Sequence, residues 1–319
     1  MQAGWTSPYL QAVEDAIGAG VGYVTGRQRR DGAWPEYMLP AGESEGWTTA
    51  LIGYCLAQTG RLPPDARRRS ARFLLASRTP DGWAYNRSKG ADADSTAWAL
   101  RCLASYGGVG EPEPWQLLLP FMDPTGAFHT FREPQFRAWS SAHADVTAVV
   151  GLALVELGAP PGLIARVRAA VLRQYPWKSY WWMTDAYAAA FACRFLVHTG
   201  GIPDDVRNAL LAQPYRGAAT ALENALLLMA ANAIEMPEAR SVALVEDLLQ
   251  RQLPHGAWLP SPALLLPPDG GIAGGDRSEG HADLAGLVSS AMAAAALARW
   301  VTHSRAASAF TPAIPQPAL

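Results

Sequence analysis

The chain has 319 residues, 50% of them hydrophobic and only 17% charged, a balance that excludes a disordered polymer and allows a large buried core. With 26 Lys and Arg against 28 Asp and Glu, a net charge of −2 and no basic run longer than Arg67-Arg68-Arg69, it carries no electrostatic footprint for nucleic acid. Its three cysteines, Cys55, Cys102 and Cys193, lack CxxC spacing, which argues against a disulfide framework or a cysteine-rich zinc site.

From the start of the chain, Met1-Gln2-Ala3-Gly4-Trp5 has no basic residue leading into an apolar run, so no signal peptide is expected and a cytoplasmic, reduced setting is. The first distinctive element is Gln28-Arg29-Arg30-Asp31-Gly32-Ala33-Trp34, of the form QxxxGxW. Weaker copies end at Asp81-Gly82-Trp83 and Gly126-Ala127-Phe128, and a full copy returns as Gln252-Leu253-Pro254-His255-Gly256-Ala257-Trp258. Each copy follows an amphipathic stretch. The glycine ends a helix in a left-handed turn, a side-chain amide bonds the exposed backbone, and the ring covers it. This is a stability device at the base of a repeat.

After each such turn an Ala-rich helix is expected. The starts fall near Trp47-Thr48-Thr49-Ala50, Asp94-Ser95-Thr96-Ala97, Asp145-Val146-Thr147-Ala148, Asp185-Ala186-Tyr187-Ala188, Leu222-Glu223-Asn224-Ala225 and Leu287-Val288-Ser289-Ser290-Ala291. Stretches such as 148–157 and 188–197 are apolar on every side, and helices of that kind are buried. Strand alternation is almost absent. The most apolar segment, 284–301, contains Gly286, Ser289, Ser290 and Arg299 and reads as a buried helix rather than a membrane span. The expectation is an all-α (α/α)6 barrel of six helix pairs, one domain over residues 1–303, followed by an unstructured Ala/Pro-rich tail at 304–319.

The QxxxGxW repeats, with Asp92-Ala93-Asp94-Ser95-Thr96-Ala97, resemble the squalene–hopene cyclase and class II terpene cyclase superfamily, whose barrel is shared by protein prenyltransferase β subunits. The resemblance covers about residues 8 to 303. It implies a protonation-initiated cyclase, an isomerase or lyase of natural product biosynthesis, acting on a linear polyprenyl chain or prenyl diphosphate. Asp94 matches the family's proton donor and Asp92 the first Asp of its motif, Thr96 and Ala97 match directly, and Ser95 replaces the third Asp. His143 would then orient the acid. No cofactor is implied, except Mg2+ if the substrate carries a diphosphate. Because the length fits a single barrel, the pocket is either the barrel's own centre or a surface completed by a homo-oligomer or partner chain.

The chemical demand stands without the resemblance. Protonating an alkene needs a carboxyl that stays neutral near pH 7, where a free Asp with a pKa of about 3.9 is ionised. Burial beside Asp92 would raise Asp94, whereas a role as helix cap, in the field of the helix N-terminus, would lower it. Both readings are open. His143-Ala144-Asp145 and His281-Ala282-Asp283 are near-identical triplets before inner helices. If the inner N-termini share one mouth, Asp92, Asp94, His143, Asp145, Asp185, His281 and Asp283 surround it, though either His could instead bond within its own loop. No HExxH-like spacing supports a metal site.

Trp47, Trp98 and Tyr187 in first turns, with Trp139, Tyr180, Trp181 and Trp182 in the loops, could bind an isoprenoid and stabilise a cation on it, or seal the barrel end. Arg87, Lys89, Arg132, Arg137 and Lys178 could meet a diphosphate or serve solubility. Two further readings remain: a cyclase or isomerase of a non-terpenoid natural product, and a barrel that binds a hydrophobic ligand without chemistry.

Overall fold

A computed structural model describes residues 7–108, 110, 112–212, 218–267 and 280–309. Six inner helices, α2 (Gly46–Gln58), α4 (Ala93–Ser105), α5 (Ala144–Glu156), α7 (Ala186–His198), α9 (Ala221–Ala233) and α11 (Leu287–Ala309), pack each against the next, and α11 returns to α2. The ring is therefore closed. Outside it lie α1 (Ser7–Thr25) on α11, α3 (Pro64–Ser77) on α2, α6 (Pro161–Arg173) on α5 and α10 (Glu238–Arg251) on α9, with α8 (Asp204–Ala212) following α7 in the chain. Burial of α2 and α5 on nearly every residue gives the ring its dry interior, while the outer helices present one buried stripe to it.

The third outer position departs from the helix-pair pattern. Between α4 and α5 the chain forms a 3-10 helix, Pro114–Phe121, with Pro120 inside it; proline lacks an N–H and blocks a regular α-helix there. Two short antiparallel ribbons also appear: β1 (Glu36–Leu39) with β2 (Gly42–Ser44), and β3 (Pro262–Leu264) with β4 (His281–Ala282). They are too short to show as alternation in sequence, and they shape the mouth. Helix α11 continues to Ala309, beyond the boundary expected at residue 303; residues 310–319 of the expected tail, and 1–6 at the start, lie outside the described residues.

The repeat turns work as braces between outer helices. Gln28 Nε2 donates to Gly32 O and to Ala66 O of α3, both at 3.0 Å. Gln252 Nε2 does the same to Gly256 O at 3.0 Å and Ala16 O of α1 at 2.8 Å, helping to close the ring. The rings cap helix ends: Trp34 Nε1 donates to Val24 O at 2.9 Å and Trp258 Nε1 to Leu248 O at 2.8 Å. The same turns are pinned to inner helices, since Thr49, Thr96, Thr147 and Ser290 hydroxyls accept the N–H groups of Trp34, Trp83, Phe128 and Trp258 at 2.8–3.0 Å. Gly256 has φ +91° and a Cβ there would lie 2.4 Å from Ala19 O, so both conformation and space call for glycine.

Candidate active site

The starts of α2, α4, α5 and α7, with the loops ahead of them, enclose a cavity of about 470 Å³, within the usual range of small-molecule sites (roughly 300–1,000 Å³). Its wall is mostly aromatic and aliphatic: Trp47, Tyr85, Phe131, Phe136, Trp139, Trp181, Trp182 and Tyr187, with Leu39 and Leu264 to Leu266. The rings support one another. Trp182 stacks on Tyr187 at 4.1 Å between centroids, Trp47 packs on Trp182 at 5.9 Å, and Trp139 meets Trp181 at 5.4 Å. Trp181 Nε1 donates to Thr130 Oγ1 at 2.8 Å and Trp139 Nε1 to Pro267 O at 2.9 Å, which fixes the faces they present.

Four carboxyl-bearing residues line this wall: Asp92, Asp94 and Asp145 at helix starts, and Glu133 in the loop ahead of α5. Helix α4 begins at Ala93, so Asp92 is its N-cap and Asp94 stands in its first turn. Asp92 is buried; its Oδ1 accepts the Ser95 N–H and its Oδ2 the Ser95 hydroxyl, each at 2.7 Å. Burial lifts its pKa to about 6 against those bonds. Asp145, also buried, accepts the N–H groups of Tyr180 at 2.8 Å and Trp181 at 2.9 Å through Oδ2, and burial lifts it likewise to about 6.

Asp94 differs from both. Protein surrounds it, and the surface it keeps opens on the cavity. Burial, then the negative charges of Asp92 and Asp145, hold its pKa well above the ordinary carboxylate value. The helix N-terminus opposes this shift and does not prevail. The Trp47 indole N–H lies beside the Asp94 carboxyl and lowers its pKa somewhat, yet falls short of hydrogen-bond geometry. Two further acids are committed to backbone: Asp283 accepts from Ser261 N at 2.7 Å and Ser289 N at 2.9 Å, and Glu36 from Leu287 N at 2.8 Å and Ala285 N at 3.0 Å.

The remaining residues singled out in the sequence divide between the cavity wall and its surroundings. Trp47, Trp139, Trp181, Trp182 and Tyr187 line the cavity. Trp98 is fully buried beneath it, donating from Nε1 to the Tyr187 hydroxyl at 3.1 Å. His143, Asp185 and His281 are not on the wall. His143 faces its own loop, with Nε2 2.9 Å from Ala138 O and its ring stacked on Tyr180 at 3.6 Å. Asp185 binds Lys178 Nζ at 2.6 Å and accepts from Ser179 N at 3.0 Å near the surface, and His281 sits in β4. Of the loop cations, Arg87 pairs with Glu45 and Asp31, Arg132 with Asp81, and Lys178 with Asp185; Lys89 lines the cavity and has no ion pair among the described residues. Among the described residues no group of three or more His, Cys, Asp or Glu side chains is arranged to hold a metal ion, and no helix is long and apolar enough to cross a membrane.

Sequence reasoning missed Tyr85, Phe131, Phe136, Thr130 and the 264–266 segment. A detectable signal was the aromatic pair in Phe131-Arg132-Glu133-Pro134-Gln135-Phe136, directly ahead of Trp139.

No family model and no curated protein sequence matches this chain. Solved structures do. The type II terpene cyclase MstE from Scytonema superposes with a TM-score of 0.78 at 22% identity, covering 92% of this chain and 99% of that one. The chain has the fold of the type II terpene cyclases. A variant of MstE has been solved with geranylgeranyl dihydroxybenzoate, its substrate (TM-score 0.78, 22% identity, 93% and 100% covered), and another with merosterolic acid A, its product. A protein from Actinoplanes is 25% identical over 90% of this chain and 99% of its own, with a TM-score of 0.72. The barrel also hosts other chemistry, since an unsaturated glucuronyl hydrolase specific for heparin matches at 12% identity and a TM-score of 0.58, over 93% of this chain and 98% of its own. Function has to be argued from the site.

Proposed function

We propose that this protein is a class II terpene cyclase in which Asp94 protonates the terminal alkene of a linear polyprenyl substrate. The observation that carries the reading is that, of the three cavity carboxyls at helix starts, Asp94 is the one whose oxygens are not taken up by backbone donors and whose proton is held by burial and two flanking carboxylates.

The Asp94 O–H gives its proton to the inner, CH carbon of the terminal alkene, leaving a tertiary cation on the dimethyl-bearing end carbon. Successive alkenes attack that cation and close rings, and loss of a proton from the last cation restores the count. The apolar wall folds the chain into a reactive shape beforehand. Ring faces of Trp47, Trp182 and Tyr187 contribute about 0.5–2 kcal/mol each to a desolvated cation, and exclusion of water prevents early capture. Asp92 and Asp145 act through charge by holding the proton on Asp94; Ser95, in place of a third Asp, orients Asp92.

The substrate's other end lies at the mouth. Because Arg87, Arg132 and Lys178 are engaged in ion pairs, a polyprenyl group on an acidic or aromatic head, met by Lys89, suits the mouth better than a diphosphate. The geranylgeranyl dihydroxybenzoate bound by a variant of MstE supports that preference. The test is product analysis by mass spectrometry after incubation with geranylgeranyl dihydroxybenzoate, farnesyl diphosphate, geranylgeranyl diphosphate and squalene. The expected result is a cyclic isomer of one substrate from the wild type and none from Asp94→Asn. Cyclisation retained by Asp94→Asn overturns the assignment of the acid, and no turnover of any polyene favours a non-terpenoid substrate.

A further inference from the structure

The acids gather at one end of the barrel and positive charge gathers at the other. There the C-terminal halves of α2, α4, α5 and α7 meet the middle of α11 and bring together Tyr54, Arg101, Glu156, Arg194 and Arg299. Arg101 is 0% exposed and grips Glu156 with two nitrogens, Nε to Oε2 at 2.9 Å and Nη2 to Oε1 at 3.0 Å. Its guanidinium also lies over the rings of Tyr54 and Trp98, at 4.2 and 4.6 Å. The Tyr54 hydroxyl donates to Glu156 Oε1 at 2.7 Å and accepts from Arg101 Nη2 at 2.8 Å and Arg194 Nη2 at 3.3 Å. Two guanidiniums thus share one hydroxyl oxygen. One turn along α2, Gln58 Oε1 accepts from Arg299 Nη2 at 2.8 Å.

The charges do not balance. Among the described residues, Glu156 is the carboxylate paired with any of the three arginines, and Arg101 occupies both of its oxygens. Three guanidiniums against one carboxylate leave an excess of two positive charges. Arg101 Nη1, Arg194 Nε and Arg299 Nε, all buried, find no hydrogen-bond acceptor. Arg194 is itself only 6% exposed. Burial, and then the charge of Arg194, push the Arg299 pKa down to about 10, and the same two causes lower His198. The helix C-termini offset a fraction of the charge through their dipoles but offer these three nitrogens no acceptor. The cluster is not sealed, because the Glu156 side chain is 27% exposed and His198 is exposed beside Arg194.

We propose that this cluster binds a small oxoanion of the phosphate class between Arg194 and Arg299, at the barrel end remote from Asp94. A planar guanidinium offers paired donors to such oxygens, and an arginine is favoured over lysine for that reason. A dianion matches the excess charge, supplies acceptors to the unmet nitrogens, and joins α7 to α11 across the floor of the ring. The site is independent of the cyclase reading. Its source could be free phosphate, free diphosphate, or the phosphate of a phosphorylated metabolite; the chemistry recognised is the same.

The test is isothermal titration of the full chain with inorganic phosphate, diphosphate, sulfate and a small phosphate monoester, each against chloride at matched ionic strength, with thermal melts alongside. The expected result is saturable one-site binding of at least one of these oxoanions and a raised melting temperature. The affinity should be at least tenfold weaker in Arg194→Met and in Arg299→Met, and unchanged in Lys89→Met at the opposite mouth. The relative affinities of the four arms identify the source. If Arg194→Met does not fold, Arg299→Lys, which keeps the charge and removes the fork, is read in its place, with the same tenfold loss expected. Absence of binding beyond chloride in the wild type overturns the proposal. So does wild-type affinity in the arginine variants that fold, or loss of binding in Lys89→Met.

Discussion

Asp145 ties the first turn of α5 to Trp181 in the aromatic loop, accepting its N–H at 2.9 Å as well as that of Tyr180 at 2.8 Å. The same carboxylate raises Asp94 by its charge, so it has one structural and one electrostatic task. These separate by substitution. Asp145→Ala leaves two loop donors unmet, at about 1–3 kcal/mol for each that stays buried, and should lower the urea midpoint and disorder the wall. Asp145→Asn keeps an acceptor and removes the charge. It should retain most of the stability while lowering the pKa of Asp94.

That shift appears in the pH–rate profile. Asp94 must be protonated to act, so turnover should be lost as pH rises through its raised pKa. Asp92 and Asp145, each near 6, are ionised on the alkaline side and hold that proton to higher pH; below about pH 6 they are protonated together with Asp94, so the acid side should be a plateau. Removing a negative neighbour lowers the Asp94 pKa, and the alkaline limb of Asp92→Asn or Asp145→Asn should therefore move to lower pH. An unmoved alkaline limb in both variants would show that their charges do not reach the acid.

The closed ring was legible because the repeat writes itself locally: Gln28 and Trp34, or Gln252 and Trp258, sit at fixed spacing, and the inner helices are rich in apolar residues on several faces, as in 148–157. The acid cluster was legible for the same reason, since Asp92, Asp94 and Asp145 fall at helix starts. Their division of labour was not. What separates Asp145 from Asp94 is a loop 35 residues downstream that consumes one and not the other, and no local period encodes such a contact. The outward turn of His143 toward Ala138, and the bond from Trp139 to Pro267, are likewise decided by how loops close over the mouth. Pro120, inside the 3-10 helix between α4 and α5, explains the missing α-helix there.

Stability should also follow pH in an unusual sense. Burial lifts Glu36 from 4.5 to about 7, and Asp92 and Asp145 from 3.8 to about 6. In the window between the unfolded and folded values the folded chain binds more protons than the unfolded one, so stability falls as pH rises. The melting temperature should decline from about pH 4.5 to 7.5, and Glu36→Gln should flatten that decline. Differential scanning calorimetry in matched ionic strength reads it, and a rising melting temperature across the window would contradict these shifts.

The brace at Gly256 is open to a direct test. A side chain there meets both a φ of +91° and Ala19 O at 2.4 Å from its Cβ, and the strained backbone alone costs about 1–3 kcal/mol. Gly256→Ala should lower the unfolding free energy by at least that much, read as a lower urea midpoint, without altering product identity, since the turn lies outside the cavity wall. Gln252→Ala should cost less, because it gives up bonds to Ala16 O and Gly256 O that water can partly replace.

Trp182 offers the clearest probe of the wall. It stacks on Tyr187 at 4.1 Å and supports Trp47 at 5.9 Å, so Trp182→Leu removes one ring face and loosens two others. At about 0.5–2 kcal/mol per face, turnover should fall by roughly two- to thirty-fold, a tenfold change corresponding to about 1.4 kcal/mol. The more specific consequence is in the products. With a cation less well covered and water less well excluded, part of the flux should leave early, as compounds with fewer rings or with a hydroxyl from captured water. Mass spectrometry of the product mixture distinguishes this from simple loss of fold, which lowers every product alike. An unchanged product ratio at reduced rate would assign Trp182 to packing alone.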